Sequence, residues 1–174
     1  AKFTEDIIAA VDYLSKRAEV DMGRLGVVGH SLGGAGAILA AASEPRIQAV
    51  VSSAAFADPV ALISDFLRAY HLPLSPFVGL VSYFINRWLD TDINDYAPQN
   101  RIGRIGIPLL LIHGASDRYI SPSNLDTLYT RARPDYRQRW LVPGRRHSNV
   151  LRDPQYGPRI IEFLYENLLC RDQY

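Results

Sequence analysis

Residues 24–42 read RLGVVGHSLGGAGAILAAA: a short apolar run, then Gly29-His30-Ser31-Leu32-Gly33, then a row of small residues. An apolar run bounded by glycine fits a buried strand, and the small residues after it fit a helix lying close against a sheet. Glycines on both sides of Ser31 let the backbone pass close at a sharp strand-to-helix turn, which would hold the hydroxyl exposed. Ser31 is then either a nucleophile or one polar residue in a glycine-rich turn. The same turn leaves the Leu32 amide at a helix N-terminus, where aligned N–H groups favour negative charge, so Leu32 is a candidate oxyanion donor.

Outward from this turn the alternation repeats. Residues 25–28, 47–51 and 109–112 are short apolar or β-branched runs bounded by turn residues, and 139–142 is a weaker fourth run ended by Pro143 and Gly144. Phe3, Ile7, Ile8, Val11 and Leu14 recur at helical spacing and predict a helix over about residues 4–18. Residues 32–42 predict a second, Ser121 with Pro122 opens a third, and Ile160, Phe163, Leu164 and Leu168 mark a last one. Strands alternating with helices predict an α/β fold, a mostly parallel sheet flanked by helices, in one domain spanning residues 1–174.

One connection breaks the pattern. Between the second and third strands, about residues 56–105, lies an insertion far longer than an ordinary strand-to-helix connection. Phe77, Leu80, Val81, Phe84, Ile85, Trp88 and Leu89 fall on one helical face, and Val60, Ile63, Phe66 and Leu67 form a shorter set. Such faces are expected to cover something, either as extra core packing or as a helical cap over a substrate pocket.

The bulk numbers exclude several classes. The 174 residues are 48% hydrophobic and 21% charged, which fits a globular domain rather than a disordered or fibrous chain. A net charge of +1 gives no field to recruit nucleic acid, and no apolar run reaches the roughly 18 residues a membrane span needs. Cys170 is the only cysteine, so neither an intrachain disulfide nor a cysteine zinc site can form, and the redox compartment stays open. No metal-ligand spacing, P-loop or dinucleotide fingerprint occurs, so no metal and no cofactor is expected.

A serine hydroxyl is a weak nucleophile without a base and a group to orient that base. Of the four histidines, His30 lies in the turn, His71 in the insertion, and His113 ends the third strand before Gly114. His147 follows the fourth strand, at the sheet end where open α/β sheets place ligands. Asp117 sits just after the third strand at the same end, giving the chain order Ser31, Asp117, His147. The ordinary alternatives are a loop-capping aspartate and a surface histidine. Tyr119 and Ile120 beside Asp117, and His30 beside Ser31, are candidate substrate contacts. Arg131, Arg133, Arg137, Arg139, Arg145 and Arg146 cluster around the fourth strand; a substrate carboxylate could use them, or they form a solvated basic surface.

The stretches VDMGRLGVVGHSLGG (residues 20–34), IPLLLIHGASDRYISP (107–122) and PGRRHSNVL (143–151) resemble the α/β-hydrolase superfamily, in particular its dienelactone-hydrolase and prolyl-oligopeptidase-like branch. The resemblance runs over nearly the whole chain apart from the insertion. It implies that Ser31 is the nucleophile, His147 the general base and then acid, and Asp117 the residue that fixes the imidazole. It implies a serine hydrolase acting on an ester, thioester or amide through an acyl-enzyme, with carboxylesterase the first expectation, peptidase the second, and acyl transfer using the same residues. The rival from another class is a hydrolase-like domain kept for binding a partner.

The same resemblance implies that these residues are the C-terminal portion of the fold. The family's front half, with the loop that supplies a second oxyanion N–H, is not among them, and losing one such donor typically costs about 10²–10³ in turnover. Residues 25–28 are accordingly expected at a sheet edge, satisfied by self-association or by a missing N-terminal segment.

Overall fold

Four strands, β1 (Gly26–His30), β2 (Ala49–Ser53), β3 (Leu109–Gly114) and β4 (Arg137–Val142), pair in parallel in the order β1-β2-β3-β4 in a computed structural model that describes residues 2–170. Parallel neighbours need crossovers, and helices supply them: α1 (Lys2–Leu14) precedes β1, α2 (Leu32–Ala41) links β1 to β2, and α5 (Ser123–Arg131) links β3 to β4. The long β2-to-β3 connection holds α3 (Pro59–Ala69) and α4 (Phe77–Leu89), and α6 (Tyr156–Leu164) follows β4, widening into one π turn (Tyr165–Leu169).

The central strands are apolar on both faces because both faces are covered. Every residue of β2 and β3 is buried. Val50 stands beside Leu109 and Val51 beside Leu110. One face then packs Val50, Leu109 and Leu111 against Val11 and Ile38 of α1 and α2 and Leu125 and Leu128 of α5. The other packs Val51, Leu110, Ile112 and Val142 against Val150, Ile160 and Phe163. Side chains as deeply buried as Ile38, Leu111 and Ile112 each contribute about 1.5–3 kcal/mol of transfer free energy.

All four strands differ in extent from the apolar runs that predict them. β1, β2 and β3 each continue two residues further, into Gly29-His30, Ser52-Ser53 and His113-Gly114, and β4 begins two earlier, at Arg137. A parallel ladder bonds backbone irrespective of side chain, so polar residues at strand ends pair as well as valine does. α1 ends at Leu14 rather than near residue 18, and α5 begins at Ser123, with the Ser121 hydroxyl accepting from the Ser123 amide at 3.3 Å.

The insertion differs more. α3 is capped by Asp58, whose carboxylate accepts from the Val60 and Ala61 amides, with Pro59 opening the first turn. Leu67 is buried and Val60 and Ile63 are partly so, but Phe66 is exposed. On α4, Val81 and Ile85 are half-buried, while Leu80, Phe84 and Trp88 face outward, Trp88 with 86% of its surface exposed. Within the described residues the α4 face is therefore covered only in part, at Val81 and Ile85. The side chains of Phe3 and Leu89 lie outside the described residues.

Among the described residues β1 has a neighbour on one side only. Its burial is correspondingly incomplete, and Val28 is 49% exposed.

Candidate active site

At the C-terminal end of β1 the chain reverses into α2 through Ser31, whose φ of 56° and ψ of −121° lie outside the ordinary regions for an L-residue. The turn is stitched to the sheet by the Ser31 amide, which donates to Ser53 O at 2.8 Å. Gly29 is required sterically: a Cβ there would stand 2.2 Å from Gly33 O and 2.7 Å from Gly34 N. Gly34 lets α2 settle on β2, with a Cβ position 3.0 Å from Ser52 Oγ and Ser53 O. Gly33 has open space where its Cβ would be, so the close passage is explained by Gly29 and not by Gly33. Ser31 makes no capping bond with its hydroxyl, which leaves Oγ free to face the sheet's C-terminal edge.

Two loops converge on that hydroxyl. The loop after β3 carries Asp117 and the loop after β4 carries His147, and they dock through the Ser116 amide donating to Arg145 O at 2.8 Å. Gly114 permits this, since a Cβ there would meet Arg145 O at 2.5 Å. His147 Nε2 lies 2.9 Å from Ser31 Oγ, and His147 Nδ1 lies 2.7 Å from Asp117 Oδ2. An ionised carboxylate only accepts, so Nδ1 carries the hydrogen and neutral His147 presents a lone pair on Nε2 to the serine hydroxyl. Asp117 Oδ1 accepts from the Tyr119 and Ile120 amides at 2.9 and 3.0 Å. Burial pushes the Asp117 carboxyl up. Hydrogen bonds from His113, the Ile120 amide, His147 and the Tyr119 amide outweigh it and bring the group down to about 2.

Sequence reasoning alone passes over His113, which reads as the end of an apolar strand. It is 1% exposed, with Nε2 3.0 Å from Ile120 O and 3.3 Å from Asp117 Oδ2. Its signal in the sequence is the one polar side chain closing LLLIHG, four residues before Asp117, which has to find a partner if buried.

The Leu32 amide opens α2 beside Ser31, where first-turn amides have no intrahelical acceptor. An apolar cleft of about 730 Å³ opens beyond Ser31 and His147, walled by Leu62, Phe66 and Val81 of the insertion and by Tyr119 and Ile120. Phe66 and Tyr119 also border a more polar hollow of about 630 Å³ that holds Asp65, Tyr70, Arg118 and Ser121. Tyr119 is 74% exposed with its ring 5.9 Å from His147, and Ile120 is buried beneath it. His30 does not line the cleft: its ring lies 5.1 Å from that of His147, and Nδ1 is 3.4 Å from Ser53 Oγ. Burial and the neighbouring His147 lower its pKa.

Most of the arginine cluster is held by the protein itself. Arg139 pairs with Asp126 at 2.7 Å and Arg145 with Asp153 at 2.8 Å, Arg137 donates to the carbonyls of Tyr129, Thr130 and Ala132, and Arg133 lies over the Tyr136 ring. Among the described residues no group of three or more His, Cys, Asp or Glu could hold a metal ion, and no helix is long and apolar enough to cross a membrane.

The chain is similar to parts of several known proteins. A bis(hydroxyethyl) terephthalate hydrolase of Streptomyces coelicolor is 51% identical over 49 residues, covering 26% of this chain and 16% of that protein. The uncharacterized protein YfhR of Escherichia coli O157:H7 is 26% identical over 174 residues, covering 97% of this chain and 55% of its own length. The chain thus spans about half of a relative it matches from end to end. In structure it is similar to an esterase from Pyrococcus furiosus, with a TM-score of 0.69, 21% identity, and coverage of 94% of this chain and 61% of that one. The parallel sheet flanked by helices is that of the α/β-hydrolases, and, with the family's model matching residues 2–166, the chain belongs to the prolyl oligopeptidase family.

Proposed function

We propose that the chain carries the reacting groups of a serine hydrolase, with Ser31 as nucleophile, His147 as general base and acid, and Asp117 as the group that orients His147. The observation that carries this is the continuous run from Ser31 Oγ to His147 Nε2 at 2.9 Å and from His147 Nδ1 to Asp117 Oδ2 at 2.7 Å, on a serine whose hydroxyl makes no capping bond. His147 takes the Ser31 proton as Oγ attacks the substrate carbonyl carbon. The oxyanion forms against the Leu32 amide, a donor worth about 3–4 kcal/mol in such sites. Collapse expels the alcohol, which leaves with the proton from His147, and an acyl-Ser31 ester remains. Water then gives its proton to His147, attacks the acyl carbon, and the acid departs as Ser31 recovers its hydrogen.

The substrate we infer is a carboxylic ester with an apolar group. The cleft against Ser31 offers Leu62, Phe66, Val81 and Ile120 and, among the described residues, no aspartate, glutamate, lysine or arginine. Residues 56–105 act in this reading as a cap within a single domain. The Streptomyces relative is named for hydrolysis of a terephthalate ester, which favours ester over amide. The family's name favours a peptidase as the second reading.

Intact mass after incubation with a fluorophosphonate tests the assignment, on this chain, on Ser31→Ala, and on a longer chain with upstream residues. One adduct at Ser31, absent from Ser31→Ala, is expected, with faster labelling of the longer chain if it contributes the second oxyanion donor. Folded protein that takes no adduct in either length would sink the hydrolase reading in favour of a partner-binding domain. Turnover of aryl and alkyl esters, set beside peptide amides, separates esterase from peptidase.

A further inference from the structure

Asp117 is an anion with no lysine or arginine among its hydrogen-bond partners in the described residues. Its side chain is fully buried, and a buried carboxylate without compensation is costly. Oδ1 takes two backbone amides, and Oδ2 is shared between two imidazoles: His147 Nδ1 at 2.7 Å and His113 Nε2 at 3.3 Å. The His113 contact has a defined sense. Its Nε2 also lies 3.0 Å from Ile120 O, and a carbonyl oxygen can only accept. Nε2 therefore bears the hydrogen, which Ile120 O accepts, and the same N–H group lies 3.3 Å from Asp117 Oδ2. His113 stands on β3, a strand buried along its whole length, whereas Asp117 and His147 both stand on loops.

We propose that His113 is a positioning residue: as an Nε2–H donor fixed to the sheet, it holds the Asp117 carboxylate, and the loop closed by Ile120, in the orientation that receives His147. The assignment rests on the reading of Ser31, His147 and Asp117 as the reacting set. It divides the work so that Asp117 touches the base and His113 keeps Asp117 ionised and aimed. Among the described residues, His113 and His147 face Asp117 directly, His30 and Tyr119 face His147 at 5.1 and 5.9 Å, and Arg118, Asp65 and Tyr70 line the adjoining hollow.

The test compares His113→Leu with His113→Gln. A glutamine amide nitrogen sits the same number of bonds from Cα as His Nε2 and restores a donor, whereas leucine fills the space without one. His113→Leu is expected to slow fluorophosphonate labelling of Ser31 about 10- to 100-fold, the range for loss of a hydrogen bond to a charged group. It should also move the pH midpoint of labelling upward. A carboxylate freed of one donor attracts the His147 proton more strongly, so a higher pH is needed to empty Nε2. His113→Gln is expected to recover most of the rate and the wild-type midpoint. A merely structural role would lower the folded fraction without moving the midpoint. Wild-type rate and midpoint in His113→Leu, or an equal defect in His113→Gln, overturn the proposal.

Long-range ¹H–¹⁵N correlation on the wild-type chain reads the tautomer with no variant at all. A protonated Nε2 with a bare Nδ1 at His113 supports the proposal, and the opposite tautomer overturns it, even should His113→Leu not fold. Absence of labelling on both the wild-type chain and the longer chain with upstream residues would instead defeat the hydrolase reading, while the tautomer still reports on the His113 contact.

Discussion

Gly29 has no room for a methyl group. An alanine Cβ would sit 2.2 Å from Gly33 O, and backbone cannot yield as a flexible side chain does. Gly29→Ala is expected to push α2 away from the turn, lower thermal stability by about 2 kcal/mol or more, and abolish fluorophosphonate labelling. Gly33→Ala, facing open space, should leave the melting temperature close to wild type, and differential scanning fluorimetry on the pair checks both. Asp117 offers a second residue-scale expectation. Its ordinary value of 3.8 falls to about 2 in the fold, so as pH drops below about 4 the unfolded chain takes up the proton first. The stability this carboxylate contributes is complete above that pH and is lost progressively toward pH 2. In Asp117→Asn, acid unfolding followed by circular dichroism should depend less steeply on pH across that window. The same variant should label about 10³–10⁴-fold more slowly, because the amide no longer selects the His147 tautomer that leaves Nε2 bare.

At the scale of elements, α2 and α4 use opposite solutions. The small residues of α2 bring its backbone onto β2, with the Ser52 hydroxyl donating to Gly34 O at 3.0 Å, and place the first turn beside Ser31. α4 instead carries large aromatic side chains, several of which meet solvent. Its contribution to folding should therefore come from the few positions that touch α3 and the cleft. Trp88→Ser is expected to change stability by no more than about 0.5 kcal/mol, whereas Leu67→Ala, on the buried side of α3, should cost about 2–5 kcal/mol. Chemical denaturation of the two variants decides this. The strand ends are the other element-scale lesson. Periodicity located each strand by its apolar middle, and the polar ends where Ser53, His30 and His113 sit became visible only through the ladder that pairs them.

For the whole molecule, the open edge of the sheet dominates. β1 pairs only with β2 among the described residues, so its outer N–H and C=O groups form a template for another strand, and Val28 lies exposed beside them. Purified alone, the chain is expected to self-associate with rising concentration. Val28→Lys, a charge on that edge, should shift sedimentation-velocity profiles toward monomer without loss of α/β circular dichroism. Concentration-independent monomer for the wild type would show that the edge is protected by other means.

What the sequence by itself determined is local: four apolar runs, the helices between them, and a serine on a glycine-flanked turn followed in order by an aspartate and a histidine after later strands. These are readable because strand and helix periodicity and turn chemistry act over a few residues. Strand order, the sharing of Asp117 between His113 and His147, the retreat of His30 from the cleft, and the exposure of much of α4 were decided only by the tertiary structure. Each depends on which groups meet across long stretches of chain, a separation of 116 positions from Ser31 to His147, and that is fixed by packing and hydrogen-bond satisfaction rather than by any neighbour in sequence.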